Sequence, residues 1–209
     1  MESHERRANK SPAESAVRQR IIAAARRHFL THGFRGVTMD DLAGELGMSK
    51  KTLYAHFPSK TVLLEAVVHD KFRSLEADVA RVTAERASDF AVGLQRLLAC
   101  IQRHTDEIRS PFVRDVQREA PELFHVVEGR RREVIRRHFG KILAQGRREG
   151  LIRKDIPHRL IIEMLLGATQ AVINPPMMEE LGLTPTTGFT AIVTVILRGV
   201  ITEKGRSKP

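Results

Sequence analysis

Ser49, Lys50, Lys51, Thr52, Tyr54 and His56 bring two hydroxyls, two ammonium groups, a phenol and an imidazole into one short segment. Ser49 is placed to cap a helix of about two turns. Lys50 and Lys51 then fall in its first turn, where the helix dipole disfavours cations by about 0.3 kcal/mol or more. Natural helices usually carry Asp or Glu there, so the two lysines fit an anion that docks at this end. Leu53 and Phe57 are four apart and share an inward face. Lys50 and Tyr54, also four apart, share another, and Thr52 and His56 form a further polar row. Just upstream, Thr38 can cap a first short helix, with Asp40 and Asp41 at its positive end. Leu42, Ala43 and Leu46 make one side of that helix apolar, and Gly47 permits the left-handed backbone that ends it. Two short helices joined by a tight turn, the second offering cations and hydroxyls, have the layout of a helix-turn-helix whose second helix enters a DNA major groove.

The elements that must hold this pair follow from periodicity. Val17, Ile21, Ala25 and Phe29 recur every four residues between Ala13 and Thr31, widened by Ile22 and Leu30, and Gly33 follows as a C-cap. That helix packs across the helix-turn-helix to complete a three-helix module. His28 and His32 have a metal-ligand spacing but no third ligand nearby, so no metal site is expected. Pro58 and Ser59 restart a helix whose apolar stripe, Val62, Leu63, Ala66, Val67, Phe72, Leu75 and Val79, runs to about Ala84. At about 1.5 Å per residue this rod is nearly 40 Å long and links the module to the rest of the chain.

The remainder reads as all-helical, with no period-two alternation. Phe90 to Ile108 follow helical spacing. Pro111 and Phe112 mark a break and a short helix to about Ala120. Pro121 opens an arginine-rich helix that runs to Gly150, and its basic run reads as a solvated face. Asp155 is placed to cap the next helix, with Pro157 in its first turn, and Pro175 and Pro176 stop it. Thr184 or Thr187 starts the last. The last two long helices are apolar almost all round, which requires burial on more than one side. They are read as a self-associating pair that forms a four-helix interface with a second copy through Ile161, Leu165, Ala168, Val172, Phe189, Ile192, Val193, Ile196 and Val200.

The formal net charge of +10 favours an acidic partner. Residues 1–60 carry eleven Lys/Arg against six Asp/Glu, the denser basic share. A single cysteine, Cys100, excludes an intrachain disulfide. The first fifteen residues hold no apolar run, so they are no secretory signal, and no apolar stretch is long enough to span a membrane. A cytoplasmic location is expected. With no phosphate-cradling glycine loop, metal cluster or nucleophile elbow, the chain is read as a non-enzyme without cofactor.

Ile21, Ala24–Ala25, Phe29, Gly33, Thr38, Leu42–Ala43, Gly47–Met48–Ser49, Leu53–Tyr54, His56–Phe57, Lys60 and Leu63–Leu64 together closely resemble the N-terminal domain of the TetR family of bacterial transcriptional regulators. The resemblance covers about residues 17–65, and beyond them only the plan matches. It implies an all-α fold in four parts: a basic arm at 1–13, expected to be disordered, the helix-turn-helix domain at 14–58, a helical ligand-binding and dimerisation domain at 59–203, and a disordered tail at 204–209. It further implies a homodimer on a palindromic operator, usually a repressor, released by a small-molecule effector. Carried over by position, Thr38 and Lys60 look like phosphate contacts, and Ser49, Lys50, Lys51, Thr52, Tyr54 and His56 look like groove and backbone contacts. Many members have glycine or a small residue where this chain has Lys51, and a polar residue where it has Ala55. Tyr54 is the only tyrosine in a chain without tryptophan, which fits a hydroxyl kept for phosphate. The pocket candidates are Cys100, His104, Phe112, Phe124, His138, Met164 and Gln170, a lining suited to an apolar or amphipathic molecule. The competing reading is a DNA-binding protein with an architectural role and no effector.

Overall fold

The computed structural model describes residues 12–84 and 90–201. The arm expected over 1–13 lies outside them apart from Pro12 and Ala13, which open the first helix, and the tail at 204–209 lies outside them entirely. Eleven α-helices follow in order: α1 (Pro12–His32), α2 (Met39–Glu45), α3 (Lys50–His56), α4 (Lys60–Ala84), α5 (Phe90–Asp106), α6 (Ser110–Glu119), α7 (Pro121–Val134), α8 (Gly140–Arg148), α9 (His158–Val172), α10 (Pro175–Glu180) and α11 (Pro185–Val200). A single π-helical turn, Ile135–Phe139, joins α7 to α8, so the two make one long rod. The fold is all-α. Among the described residues the only β pairing is one isolated antiparallel bridge, Ile152 to Ile201.

Local chemistry sets the helix ends. Thr38 caps α2 in a reciprocal box: its hydroxyl accepts the Asp41 N–H at 3.1 Å, and the Asp41 carboxylate accepts the Thr38 N–H at 2.9 Å. Ser49 caps α3 by accepting the Thr52 N–H at 3.1 Å, and Thr184 caps α11 by accepting that of Thr187 at 3.2 Å. Asp155 does not cap α9, contrary to the sequence reading. Its carboxylate is held by Arg153 at 2.6 Å, and Pro157 occupies the capping position. Pro175 and Pro176 end α9 as expected and also open α10, a short helix that periodicity is too brief to reveal, capped by Asn174.

Two apolar clusters organise the chain. One holds Ile21, Phe29, Leu42, Leu53 and Phe57 of the first three helices, together with Leu63, Leu64, Val67 and Val68 of α4 and Phe112, Val116, Ala120 and Leu123 of the α6–α7 region. The other fills the space among the second half of α4, α5, the π-turn, α8, α9 and α11 around Leu97, Phe139, Leu143 and Leu165. The helix-turn-helix core therefore runs into α4 and α6 rather than stopping at the head. The arginines of the long rod are mostly held within the chain: Arg132 and Arg136 face Glu163, Arg137 faces Glu133, and Arg130 lies near Glu76.

Candidate nucleic-acid interface and ligand cavity

Leu53 and Phe57 are fully buried and pin α3 to the core, which turns Lys51, Thr52 and Tyr54 outward. Tyr54 is 45% exposed, so its phenol fills no junction with α4. The cations of the predicted site are not equivalent. Lys50 Nζ lies 2.6 Å from Asp40, which lifts its pKa above the usual lysine value and offsets its charge. Lys51 has no ion-pair partner among the described residues. Lys60 sits with Nζ 4.4 Å from the centroid of the Phe34 ring, a cation–π contact, and partial burial pulls its pKa down. Thr38 spends its hydroxyl proton on Asp41 Oδ2 at 2.7 Å, so any bond it donates to an external phosphate must replace that one. Ser49 and Thr52 hydroxyls lie 2.9 Å apart at the exposed N-terminus of α3, and His56 is half-buried at its other end. His28, considered above for its spacing to His32, pairs with Glu45 instead.

Behind the head lies an apolar cavity of about 160 Å³. Its walls come from α4 (Val67, Phe72, Leu75), α5 (Ile101, His104), α6 (Phe112, Val113, Val116), α7 (Phe124, Val127) and the start of α11 (Phe189). Of the seven pocket candidates, His104, Phe112 and Phe124 line it. Cys100 is fully buried in the second core cluster, His138 is buried and bonded to Thr83 at 3.0 Å, Met164 is 53% exposed, and exposed Gln170 bonds Arg132. Helical spacing places a residue on an apolar face but cannot say whether that face meets a cavity or packed core, which is why these four fall elsewhere. Lys71 was missed because a lysine within an apolar stripe reads as exposed, whereas it is only 7% exposed.

Polar ties join the cavity to the head. Arg26 of α1 bonds Glu107 at 2.8 Å and Asp70 at 3.4 Å. Glu107 holds Lys71 at 2.9 Å, Lys71 lies 3.4 Å from His104 Nδ1, and His104 Nε2 lies 2.9 Å from Asp78. Burial lowers the His104 pKa, so the neutral ring donates to Asp78 and accepts from Lys71. Charges alternate along this run from α5 through α4 to α1. The Arg109 N–H donates to the Leu30 carbonyl at 3.0 Å. Asp115 of α6, 7% exposed, accepts the Arg35 N–H at 2.8 Å and so holds the loop that leads into α2.

Gly33 shows how close this contact is. Its φ is +85°, and a Cβ there would stand 2.6 Å from Asp115 Oδ2 and 3.2 Å from Pro111 Cβ. Gly33→Ala is expected to cost about 1–3 kcal/mol, from left-handed backbone strain and from displacement of the buried carboxylate. A thermal melt followed by circular dichroism should fall by several degrees, and an unchanged midpoint would rule out this tight seating.

The outer face of α9 and α11 differs from the predicted one. Ile161, Leu165, Phe189, Ile192, Val193 and Val200 are buried in the chain's own core, and Ala168, Val172 and Ile196 are half-buried. The exposed stripes are Leu160, Met164, Gly167 and Ala171 on α9, and Thr187, Ala191, Val195 and Arg198 on α11. Both follow i, i+4, i+7/8, i+11 spacing. Helix α9 is apolar on both sides, and α11 carries Ala191 and Val195 between Thr187 and Arg198 on its outer one; periodicity alone does not say which side the chain covers for itself.

A small head with a capped, cation-bearing recognition helix, set on an all-α body, defines a helix-turn-helix DNA-binding protein. Residues 21–67 match the family model described as bacterial regulatory proteins, tetR family. The chain is 28% identical over 169 residues to an HTH-type transcriptional repressor of Streptomyces coelicolor, which covers 79% of this chain and 83% of that one. It is 25% identical over 174 residues to the HTH-type transcriptional repressor DhaR of Mycobacterium sp., at 80% and 86% coverage. In structure it is similar to a TetR-family transcriptional regulator from Agrobacterium tumefaciens, with a TM-score of 0.67 and 17% identity over 90% of this chain and 99% of that one. Residues 21–67 therefore carry the DNA-binding domain of the tetR family of bacterial regulatory proteins, and the relatives that the chain resembles over most of its length are named transcriptional repressors.

Proposed function

We propose that this chain is a cytoplasmic, non-enzymatic repressor that binds a palindromic operator as a homodimer and leaves it when a small apolar molecule enters the cavity. Lys51, Thr52 and Tyr54 make the main contacts. Ser49, His56 and Lys60 flank them, and Lys50 and Thr38 contribute less because Asp40 and Asp41 already hold them. Repression is supported by the two curated relatives, both named as repressors. A homodimer is supported by the paired exposed stripes on α9 and α11, whose isologous pairing would bury four helices together.

One observation carries the effector part. Helix α6 lines the cavity with Phe112, Val113 and Val116 and, through Asp115, holds the loop that leads into α2. A molecule that displaces α6 therefore acts on the head directly as well as through α4. Such a molecule weakens DNA binding only to the extent that it prefers the displaced arrangement.

Selection of bound sites from a random DNA pool tests the operator part. The expected product is an inverted repeat bound by two chains, and sites without twofold symmetry would overturn it. A gel-shift screen of apolar compounds on the selected site then tests the effector part. Retention of DNA by a protein shown to have its cavity occupied would favour the architectural alternative.

A further inference from the structure

Resting on the reading of the cavity as an effector site, we propose that its ligand is a small uncharged hydrocarbon-like molecule, a single ring or short chain, and that the wall rejects charged ligands.

Six polar side chains reach the wall: Lys71, His104, Thr105, Glu128, Arg131 and Thr169. Each already has a partner inside the protein. Lys71 pairs with Glu107, and His104 with Asp78. The Thr105 hydroxyl donates to its own helix at the Ile101 carbonyl and accepts from Thr186 at 3.2 Å. Thr169 donates to the Leu165 carbonyl at 2.6 Å. Glu128 and Arg131 form an ion pair with each other. The wall charges Lys71 and Arg131 are therefore met by Glu107 and Glu128, and the Asp78 carboxylate behind the neutral His104 ring is met by Arg81. A buried charge brought by a ligand would have to break one of these pairs or stay unpaired, and either is costly in an apolar surround. A neutral apolar ligand asks nothing of them and only removes its own surface from water.

Size narrows the class further. The cavity of about 160 Å³ is close to the roughly 150 Å³ apolar cavity that stays dry and takes up benzene. The other walls are aliphatic and phenylalanine side chains, which offer dispersion contacts and no directional bonds.

Three probes of one shape and different charge test this on the whole chain: toluene, benzoate and benzylammonium, each followed by thermal shift and by gel shift on the selected operator. Toluene is expected to raise the melting temperature, and the two ions at the same concentration to leave it unchanged. Arg131 has N–H groups beyond the one given to Glu128, so benzoate is the sharpest competitor. A shift with either ion as large as that with toluene overturns the proposal, as does no shift with toluene. Val113→Phe, which fills the cavity from α6, should abolish the toluene shift. If that variant does not fold, Val127→Phe on α7 serves the same purpose. A toluene shift that survives in a folded, filled variant places binding elsewhere and overturns the assignment. Toluene that binds without releasing DNA leaves the ligand class standing and removes the effector reading. Ions that release DNA do the reverse.

Discussion

Lys51→Ala should weaken operator binding about tenfold at moderate salt and flatten its salt dependence. Each phosphate contact contributes about 0.9 to the slope of log affinity against log salt. Two heads on one site should therefore lose about 1.8. Lys50→Ala, although adjacent, should lose clearly less, because Asp40 at 2.6 Å already offsets the Lys50 charge and a contact with phosphate must compete with that pair. Tyr54→Ala should lower affinity with no change of slope, since a phenol releases no counterion, and Tyr54→Phe should show how much of that loss belongs to the hydroxyl. These side chains are exposed, so none of the substitutions should alter the thermal midpoint. Lys60→Ala is less clean. Its ammonium packs on Phe34, and its loss removes both a cation and part of the joint between the α1–α2 loop and α4. Fluorescence anisotropy on the selected operator from about 50 to 200 mM salt makes the comparison. Equal slopes for Lys50→Ala and Lys51→Ala would refute the inequivalence, and an unchanged slope for Lys51→Ala would remove it from the interface.

What made the head readable is that its signals are local. Thr38 with Asp41, Ser49 with Thr52 and Leu53 with Phe57 lie three or four residues apart, within one helical turn, so spacing alone predicts the contacts. The tie between head and cavity is different in kind. Asp115 meets Arg35 across eighty residues, and in sequence it is one acid in a charged ten-residue helix. Lys71 likewise takes its meaning from Glu107 and His104, which a distant helix supplies. Three of the seven pocket candidates line the cavity, and all seven are read from one signal, a place on or beside the apolar faces of the middle helices. The four that lie elsewhere carry the same signal, and only the packing of α4 through α7 separates cavity wall from filled core. The same limit applies to α9 and α11. Their apolar character was plain, but the outward side follows from how they pack on α5 and α8, which no pattern within either helix records.

That outward side leads to the second large effect. Val195 is 72% exposed and Val193 only 3%, although they are two residues apart on one helix. Val195→Glu should leave the subunit folded, with unchanged helicity, while driving it to monomers. In a twofold interface each substitution is presented twice, so an introduced carboxylate is desolvated on both copies of α11. Met164→Glu on α9, 53% exposed in the chain, should act in the same way. Cβ positions added at Gly167 and Gly199 meet no atom within 4 Å, so the chain's own packing does not require glycine there, and both leave room for a partner helix to come close. Val193→Glu should behave quite differently. It puts an unpaired carboxylate among Phe139, Leu165 and their neighbours in the core, a cost of several kcal/mol against a total stability of about 5–15 kcal/mol. Loss of the cooperative melt, or aggregation, is expected there rather than a clean monomer. Sedimentation velocity combined with circular dichroism separates the outcomes. A Val195→Glu protein that remains dimeric would move the interface away from this face. Because two half-sites need two joined heads, the folded monomer should also bind the full operator no more tightly than a single half-site.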